Sequence, residues 1–341
     1  VVNRWIKGRP ERILLGRYPD LTIEQARGKA SEINAAVARQ ENPADAKRWL
    51  REEPALSDLF QDFLEHRRNK RGAYLSASTK HNYQQDFNCH LTALAPRKLS
   101  DITKQDVTRL HAQIGRTAPY SANRVLALLS SLYSYATHAT RFTGTSPTAG
   151  ITKFPETHRE RFVQPDEMPR FFSALAEEDS DFRDVFLLAL LTGARRGNVL
   201  AMRRQEVNIE RAEWYIPNTK NQSALTVSLV PEAVAILKPR LEAIDGDFLF
   251  PGKGQSGHLV EPKTAWRRVL ARAGIQKLRM HDLRHTIGSA LAATGANIAM
   301  SMQALGHKTQ QASLIYQKLH RDPIREAMGR ATDSILQQAG I

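Results

Sequence analysis

Two stretches without helical or strand periodicity divide this chain of 341 residues into three parts. The first, residues 42–54, contains Pro43 and Pro54, and the second, about residues 140–165, is rich in threonine, glycine, proline and charge. Proline interrupts regular elements because its ring fixes φ and it has no backbone N–H. A chain of this length can also bury more than one core. We therefore predict a multidomain protein, with domains at residues 1–45, 55–140 and 160–341.

The first part carries the signals of a β-hairpin followed by a helix. Two strand-like runs, residues 3–7 and 11–15, flank the turn-forming Gly8-Arg9-Pro10. Thr22 and Gln25 then have the spacing of a capping box, which predicts a helix that reaches about residue 40. This part is expected to be a small α+β domain.

The second part consists of four helical patterns. They are predicted at residues 56–68, 78–94, 103–114 and 121–139. The last pattern is the clearest, because its apolar residues recur with a period close to 3.6. These residues are Val125, Leu128, Leu129, Leu132 and Tyr133. The second part is therefore predicted to be an all-helical bundle.

An excess of basic residues predicts a polyanionic partner. The formal net charge is +14, from 49 lysines and arginines against 35 acidic residues. Nucleic acid is favoured over a membrane surface, because no apolar run reaches the roughly 18 residues of a spanning helix and no signal-peptide pattern opens the chain. A single cysteine, Cys89, excludes an internal disulfide framework and a cysteine-based zinc cluster. A reducing, cytoplasmic location is expected.

A basic cluster surrounds a polar loop of the second part. Its members are Arg67, Arg68, Lys70, Arg71 and Lys80. Such a run is most often a solvated face, but beside the net charge it favours contact with DNA phosphates. Arg196, in the third part, is assigned to a basic surface with the same role.

A buried helix opens the third part. Residues 182–191 are nearly all apolar and lead into Thr192-Gly193-Ala194-Arg195. An arginine that stands just past a buried helix, on a glycine-containing turn, is held rigidly and points inward. Arg195 is therefore a candidate for a fixed guanidinium fork.

Two strand-like runs, residues 212–217 and 225–230, predict a β-hairpin that carries Lys220 between them. A lysine at a hairpin tip is usually solvent-exposed and inert. It can also swing into a groove and protonate a leaving alkoxide, since its ammonium is mobile and its pKa falls on burial. Further helices, predicted at residues 231–243 and 262–273, make this a mainly α domain with a small antiparallel sheet. A glycine-rich loop between them lacks the order of a nucleotide-binding motif, and no cofactor is predicted.

The residues from His281 to Tyr316 gather titratable groups on short helices. Arg284 supplies a second guanidinium, and His281, three residues earlier, lies on the same helix face. His307 follows a tight Leu-Gly turn, and Tyr316 comes nine residues later. Attack on a phosphate diester spreads negative charge over its non-bridging oxygens, which forked donors stabilise. The phenol becomes a covalent nucleophile if a neighbouring group takes its proton. No metal-ligand pattern is present.

This set of residues resembles the signature of the tyrosine recombinase family, the phage integrase-like site-specific recombinases. In chain order it is Arg195, Lys220, His281, Arg284, His307 and Tyr316. The matching stretches are Thr-Gly-Ala-Arg-Arg-Gly-Asn, Thr-Lys-Asn, His-Asp-Leu-Arg-His-Thr and Leu-Gly-His. Together they cover about residues 165–320.

The rest of the chain resembles the same family. The helical second part is similar to its core-binding domain, and the first part is similar to the arm-type DNA-binding domain of prophage and genomic-island integrases. The chain opens on Val1, inside a predicted strand, so part of the arm-type domain is expected to be missing upstream. Asn198 is a departure, since many relatives carry an acidic residue there.

The resemblance implies a mechanism. Tyr316 attacks the scissile phosphate to give a 3′-phosphotyrosyl bond and a free 5′-hydroxyl. Arg195 and Arg284 hold the non-bridging oxygens, and His307 donates a hydrogen bond to one of them. Lys220 protonates the leaving oxygen, while His281 assists proton transfer at the nucleophile. Two duplexes exchange strands through a Holliday junction without ATP or metal, which integrates or excises a mobile element.

The family also implies a partner, double-stranded DNA at specific recombination sites, and an assembly. A protein that is a monomer when free forms a homotetramer on DNA, with a C-terminal segment near residues 334–337 docked on a neighbouring protomer. An accessory DNA-bending or directionality factor is a further possible partner. Two other classes stay open: a type IB topoisomerase, which uses the same chemistry to relax supercoils, and a non-catalytic DNA-binding accessory factor.

Overall fold

The computed structural model describes two compact units, Val1–Thr157 and His158–Ile341. The description covers the chain except residues 7, 40, 43–44, 46–47, 49–50, 70–71, 141, 158–160, 218–222, 318–327, 330–331, 334 and 339–341, and the side chains of Ile315 and Gln317. Each unit is described by itself. The protein is multidomain and mostly helical, with two small antiparallel sheets.

The chain begins with the predicted hairpin and helix. Strands β1 (Val2–Ile6) and β2 (Arg9–Ile13) pair antiparallel, and Ile6 faces Arg9. Strand β2 therefore begins at Arg9, inside the predicted turn, and Gly8 has the positive φ of 79° that such a turn needs. Helix α1 (Ile23–Ala38) starts at the predicted capping box, in which Thr22 and Gln25 each bind the other's backbone N–H.

Four helices form the bundle of the first unit, close to their predicted positions. They are α2 (Leu56–His66), α3 (Ala77–His90), α4 (Lys104–Gly115) and α5 (Pro119–Ala139). Helix α5 begins two residues before the predicted start, because Pro119 suits the first turn of a helix. Its five predicted core residues are all buried, and they pack with apolar residues of α2.

Both predicted linkers contain structured residues. In the first, Asp45, Arg48 and residues 51–52 are helical, and the Arg48 guanidinium lies 2.8 Å from the Glu11 carboxylate of β2. In the second, Phe142 is buried against the bundle. The linker assignment rested on composition, which does not show that Phe142 would find a pocket.

Phe154 shows how the second of these segments is fixed. A side chain at Gly115 would overlap the Phe154 ring, so the glycine at the end of α4 makes the pocket. The Asn123 amide donates to the Phe154 carbonyl at 2.9 Å and accepts from the Phe154 N–H at 3.0 Å. The segment is thereby held on the bundle by both its backbone and its ring.

The second unit surrounds one hydrophobic core. Its helices are α6 (Met168–Ala176), α7 (Ser180–Thr192), α8 (Arg196–Leu200), α9 (Pro231–Ala243), α10 (Lys263–Ala273), α11 (Asp282–Ala293), α12 (Ile298–Leu305) and α13 (Gln310–Gln317). The predicted hairpin is β4 (Glu213–Ile216) and β5 (Leu225–Ser228), and a short strand that was not predicted, β3 (Val207–Asn208), extends it to the order β3-β4-β5. As predicted, α7 is central: Val185, Phe186 and Leu188 are fully buried.

A buried ion pair fastens α9 to α7. Arg240 and Asp184 are both buried, and the arginine Nε lies 2.8 Å from the carboxylate. A second carboxylate, Asp181, and the Ser180 carbonyl accept from the same guanidinium. The charge is thus fully surrounded by acceptors, as a buried charge requires.

Removal of Arg240 should therefore destabilise the second unit strongly. Arg240→Ala leaves Asp184 buried without its partner, and we expect the unit to lose about 3 kcal/mol of unfolding free energy. Thermal and urea unfolding of the full chain measure this. Arg211→Ala, the same exchange at an exposed position, is the control and should change little; equal effects of the two variants would contradict the role of the pair.

Candidate active site

Arg284 joins the three chain segments that build the site. Its guanidinium donates to the Gly193 carbonyl at 2.6 Å and to the Leu305 carbonyl. These carbonyls lie at the C-terminal ends of α7 and α12, where helices leave acceptors unpaired and carry negative partial charge. Arg284 itself is in the first turn of α11 and is only 4% exposed. The ends of α7 and α12 are thus tied to the start of α11.

This tie also positions two other predicted residues. Arg195 follows Gly193 by two positions, and His307 follows Leu305 by two. Gly193 has φ of 59°, and a side chain there would come within 2.6 Å of Leu305, so only glycine suits this turn. Arg195 lies at the N-cap of α8 and is half-buried.

Tyr316 is buried against α11. Only 3% of its surface is exposed. A side chain at Gly288 would come within 2.7 Å of the phenol ring, so this glycine makes the space for it. Burial raises the pKa of Tyr316, and the positive charge of Arg284 opposes that shift. The phenol is therefore protonated at neutral pH.

His307 is stacked beside the phenol. The two rings are 6.0 Å apart and nearly parallel. Burial, and then the charges of Arg284 and Arg195, lower the pKa of His307 to about 4, so its ring is neutral at pH 7. Its Nδ1 lies 2.8 Å from the hydroxyl of the buried Ser313. When that hydroxyl donates to Nδ1, the imidazole carries its proton on Nε2 and can donate from there.

His281 stands at the start of α11. It is the N-cap residue, and burial lowers its pKa, with further lowering from His285 and Arg284. It also lines a cavity of about 590 Å³ together with Arg195, Arg196, Lys263 and Arg279. This cavity concentrates positive charge beside the buried groups, which suits a phosphate backbone.

The structure brings five of the six predicted catalytic residues together. Arg195, His281, Arg284, His307 and Tyr316 lie within reach of one another's electrostatic influence. The sixth, Lys220, lies outside the described residues. Chemically, the arrangement offers a protonated phenol, two guanidinium groups and neutral imidazoles, which suits nucleophilic attack on an anionic ester.

The predicted DNA-binding residues belong to both units, and Arg196 lines the same cavity as Arg195 and His281. Arg68 packs over the Tyr74 ring at 4.6 Å and donates to its hydroxyl, while Arg67 and Lys80 flank the same loop. Lys70 and Arg71 lie outside the described residues. Arg196 is half-exposed and lies 3.4 Å from the Glu261 carboxylate.

One residue of the site was missed. His285, next to Arg284 in the sequence, places its Nδ1 3.1 Å from the Tyr316 hydroxyl. The only signal for it was its position four residues after His281, which puts both rings on one face of α11. No local pattern shows that Tyr316 packs against that face.

Comparison with known families places this geometry in context. A sequence profile described as "Phage integrase family" matches residues 161–322, and one described as "Phage integrase, N-terminal SAM-like domain" matches residues 58–140. A third, "Arm DNA-binding domain", matches residues 1–49. Together the three profiles cover most of the chain.

Individual proteins agree with the profiles. The integrase of Salmonella phage P22 is 30% identical over 195 residues, a match that covers 53% of this chain and 49% of that protein. This chain thus aligns with about half the length of that relative. Solved structures show the same fold: the Tn1549 transposon integrase with circular intermediate DNA has a TM-score of 0.65 at 15% identity, over 81% of this chain and 99% of the other.

A second solved structure is a lambda integrase tetramer bound to a Holliday junction. Its TM-score is 0.62 at 17% identity, and the match covers 85% of this chain and 88% of the other. At these identities the likeness establishes the fold. Within the described part of this chain, no helix is long and apolar enough to cross a membrane.

The lowered pKa of His307 predicts a pH-dependent stability. Between about 4 and 6.5 the unfolded chain binds a proton on this histidine that the folded site does not, so stability falls as the pH drops through that window. His307→Gln should reduce this loss. Melting temperatures from pH 4 to 8 measure it, with His81→Gln, at an exposed histidine of α3, as the control for the exchange itself. An identical pH dependence in wild type and His307→Gln would contradict the shift.

Proposed function

This chain belongs to the phage integrase family of tyrosine recombinases, and we propose that it cuts and rejoins specific DNA sites through a covalent bond to Tyr316. The observation that carries the proposal is the buried Tyr316, which lies against the imidazoles of His285 and His307 and within the electrostatic influence of Arg284, itself close to Arg195. Neither a packing tyrosine nor a plain DNA-binding surface needs that combination.

The proposed step is a transesterification. The Tyr316 oxygen bonds to the scissile phosphorus as the bond from phosphorus to the 5′-oxygen breaks, which leaves a 3′-phosphotyrosyl link. Lys220 is assigned, by family resemblance, to protonate the leaving 5′-oxygen. One phosphate ester replaces another, so the reverse step can rejoin DNA without ATP.

The arginines stabilise the charge of the transition state. Arg284 has five N–H donors, and two of its nitrogens donate to the helix-end carbonyls of Gly193 and Leu305. The remaining donors can bind a phosphate oxygen. Arg195 supplies a second fork, and His307 donates from Nε2 once Ser313 occupies Nδ1. Because these donors are fixed before DNA binds, they need little reorganisation during the reaction. The proposed chemistry uses no metal ion.

The second part of the chain is proposed to hold the duplex. Arg67, Arg68, Lys70, Arg71 and Lys80 are assigned to the phosphate backbone, as is Arg196 in the catalytic unit. An exposed stripe of α3 adds groups that can read bases: Ser78, His81, Asn82 and Gln85 recur at helical spacing and are exposed. Amide side chains pair with adenine edges in the major groove. This helix is therefore proposed to contribute to site recognition.

Four protomers are proposed to act together on DNA, as in the lambda integrase tetramer on a Holliday junction. The free protein is proposed to be a monomer, and an accessory DNA-bending factor remains part of the hypothesis. In the C-terminal segment, Met328 and Ile335 are 67% and 65% exposed. These apolar side chains suit docking on a neighbouring protomer. The bacterial cytoplasm, where the DNA is, is the proposed location.

Covalent catalysis is tested with a nicked suicide duplex. The target sequence in this duplex is first selected from a pool of random DNA by binding to the purified protein. The cleavage reaction contains EDTA. Wild type should give a protein–DNA band on a denaturing gel, and Tyr316→Phe, which lacks only the nucleophilic oxygen, should give none. A duplex that is bound but never linked to wild type would refute the proposal. Relaxation of a supercoiled plasmid without a site would instead favour a topoisomerase.

The α3 stripe is tested by binding specificity. Gln85→Ala should relax base preference at one position of the site, at a cost of about 1–3 kcal/mol for the preferred base. Lys80→Ala should weaken binding to all sequences alike and reduce its salt dependence. Binding to a set of single-base variants at fixed salt measures both. Unchanged base preference in Gln85→Ala and Asn82→Ala would remove α3 from site recognition.

A further inference from the structure

The backbone of His307 is fixed by α12 and β5. Its N–H donates to the Met302 carbonyl of α12 at 2.9 Å, and the preceding Gly306 has φ of 62°. A side chain at Gly306 would come within 2.7 Å of Leu225 on β5, so this turn suits only glycine. The His307 ring therefore projects from a turn whose backbone has little freedom.

Ser313 of α13 makes the contact with that ring. The serine is completely buried, and its hydroxyl lies 2.8 Å from Nδ1 of His307. Ser313 stands three residues before Tyr316, which places both side chains on one face of the helix. That face thus carries the nucleophile, seated against Gly288, together with the contact to His307.

The direction of this hydrogen bond follows from the protons that are available. Because the pKa of His307 is lowered to about 4, its ring is neutral at pH 7 and carries one N–H. If that N–H pointed from Nδ1 to Ser313, the serine proton would need another acceptor. Within the described part of the chain, His307 is the only hydrogen-bond partner of the serine hydroxyl, and a buried hydroxyl proton without an acceptor is costly. Ser313 therefore donates to Nδ1, and the ring proton lies on Nε2.

We propose that Ser313 is a positioning residue that holds the helix of the nucleophile in place and, with the same hydrogen bond, makes His307 a donor to the phosphate. The inference rests on the proposed function and deepens it, since it concerns the regulation of the same site. In this role Ser313 contacts neither the phosphate nor the Tyr316 oxygen, and it forms no covalent bond.

The shared hydrogen bond links two requirements of the reaction. When α13 moves away from the site, Tyr316 leaves with it and Nδ1 of His307 loses its donor. The neutral ring can then place its proton on Nδ1, which leaves a lone pair on Nε2 where the phosphate needs a donor. The nucleophile and the hydrogen bond from His307 therefore become available together, when α13 is docked.

The ring nitrogens of His307 test this role directly. In ¹⁵N NMR spectra of the full chain with labelled histidine at pH 7, the wild-type signals should be those of the Nε2–H tautomer. Ser313→Ala removes one oxygen, and the signals should move towards those of a mixture of both tautomers. The His307 signals are assigned by their loss in His307→Gln.

The same variant should cleave DNA more slowly. In single-turnover reactions with the nicked suicide duplex, we expect the rate of Ser313→Ala to fall about 10-fold, because a buried acceptor loses its partner. DNA affinity should be retained, since the serine is buried and does not belong to the surface. Hydrogen exchange of the α13 amides should become faster, because the helix loses one of its contacts.

Ser301 offers a matched control. It lies in α12 and is 1% exposed, and its hydroxyl has no hydrogen-bond partner among the described residues. Ser301→Ala thus makes the same exchange at a buried position without the loss of a hydrogen bond. It should keep the wild-type cleavage rate, the wild-type His307 signals and the wild-type exchange of α13.

Three results would overturn the role of Ser313. One is an Nδ1–H tautomer of His307 in the wild type. Another is a Ser313→Ala variant that keeps the wild-type cleavage rate or the wild-type His307 signals. The third is an equal effect of Ser301→Ala, which would indicate a general loosening of the core. A missing covalent band in wild type would instead refute the proposed function, and the NMR and exchange measurements, which need no DNA, would still test the hydrogen bond.

Discussion

The buried guanidinium of Arg284 organises the site. A buried charge is costly unless polar groups surround it, and here the carbonyls of Gly193 and Leu305 provide that compensation. Burial and the nearby Arg195 lower the pKa of Arg284 to about 10, so it keeps its charge at neutral pH. The same contacts that stabilise the cation join three helices, and stability and site geometry therefore depend on one interaction.

The geometry of that interaction explains why arginine is needed. One guanidinium reaches two carbonyls that belong to different helices and still has donors to spare, whereas the ammonium of a lysine is a single point charge with three donors. Loss of either carbonyl contact would release a helix end. The turn that carries Arg195 would shift in one case and the turn that carries His307 in the other. In the proposed reaction, the scissile phosphate would then lose the donors that these turns carry.

Local patterns in the sequence predicted most of the helices and the order of the site residues. Thr22 and Gln25 placed the start of α1, and the apolar period placed α5, since both signals are local. The contact between His285 and Tyr316 joins residues 31 positions apart, and the pocket for Phe154 depends on Gly115. Such contacts follow from tertiary packing, and a short window of sequence contains no signal that predicts them. Lys220 stays a prediction, because it lies outside the described residues.

The electrostatics of the site indicate which kind of ligand it favours. Burial is the main cause of the lowered pKa of His281 and of His307, and the charges of Arg284 and Arg195 lower both further, so the site disfavours an additional positive charge. The positive potential of the two arginines, which disfavours an added cation, favours an added anion. A phosphate that enters would raise the pKa of these imidazoles, so DNA binding and proton uptake are thermodynamically linked. In the proposed reaction, the arginine charges that attract the phosphate thus also favour neutral imidazoles before DNA binds, and the bound phosphate would then make these imidazoles better proton acceptors.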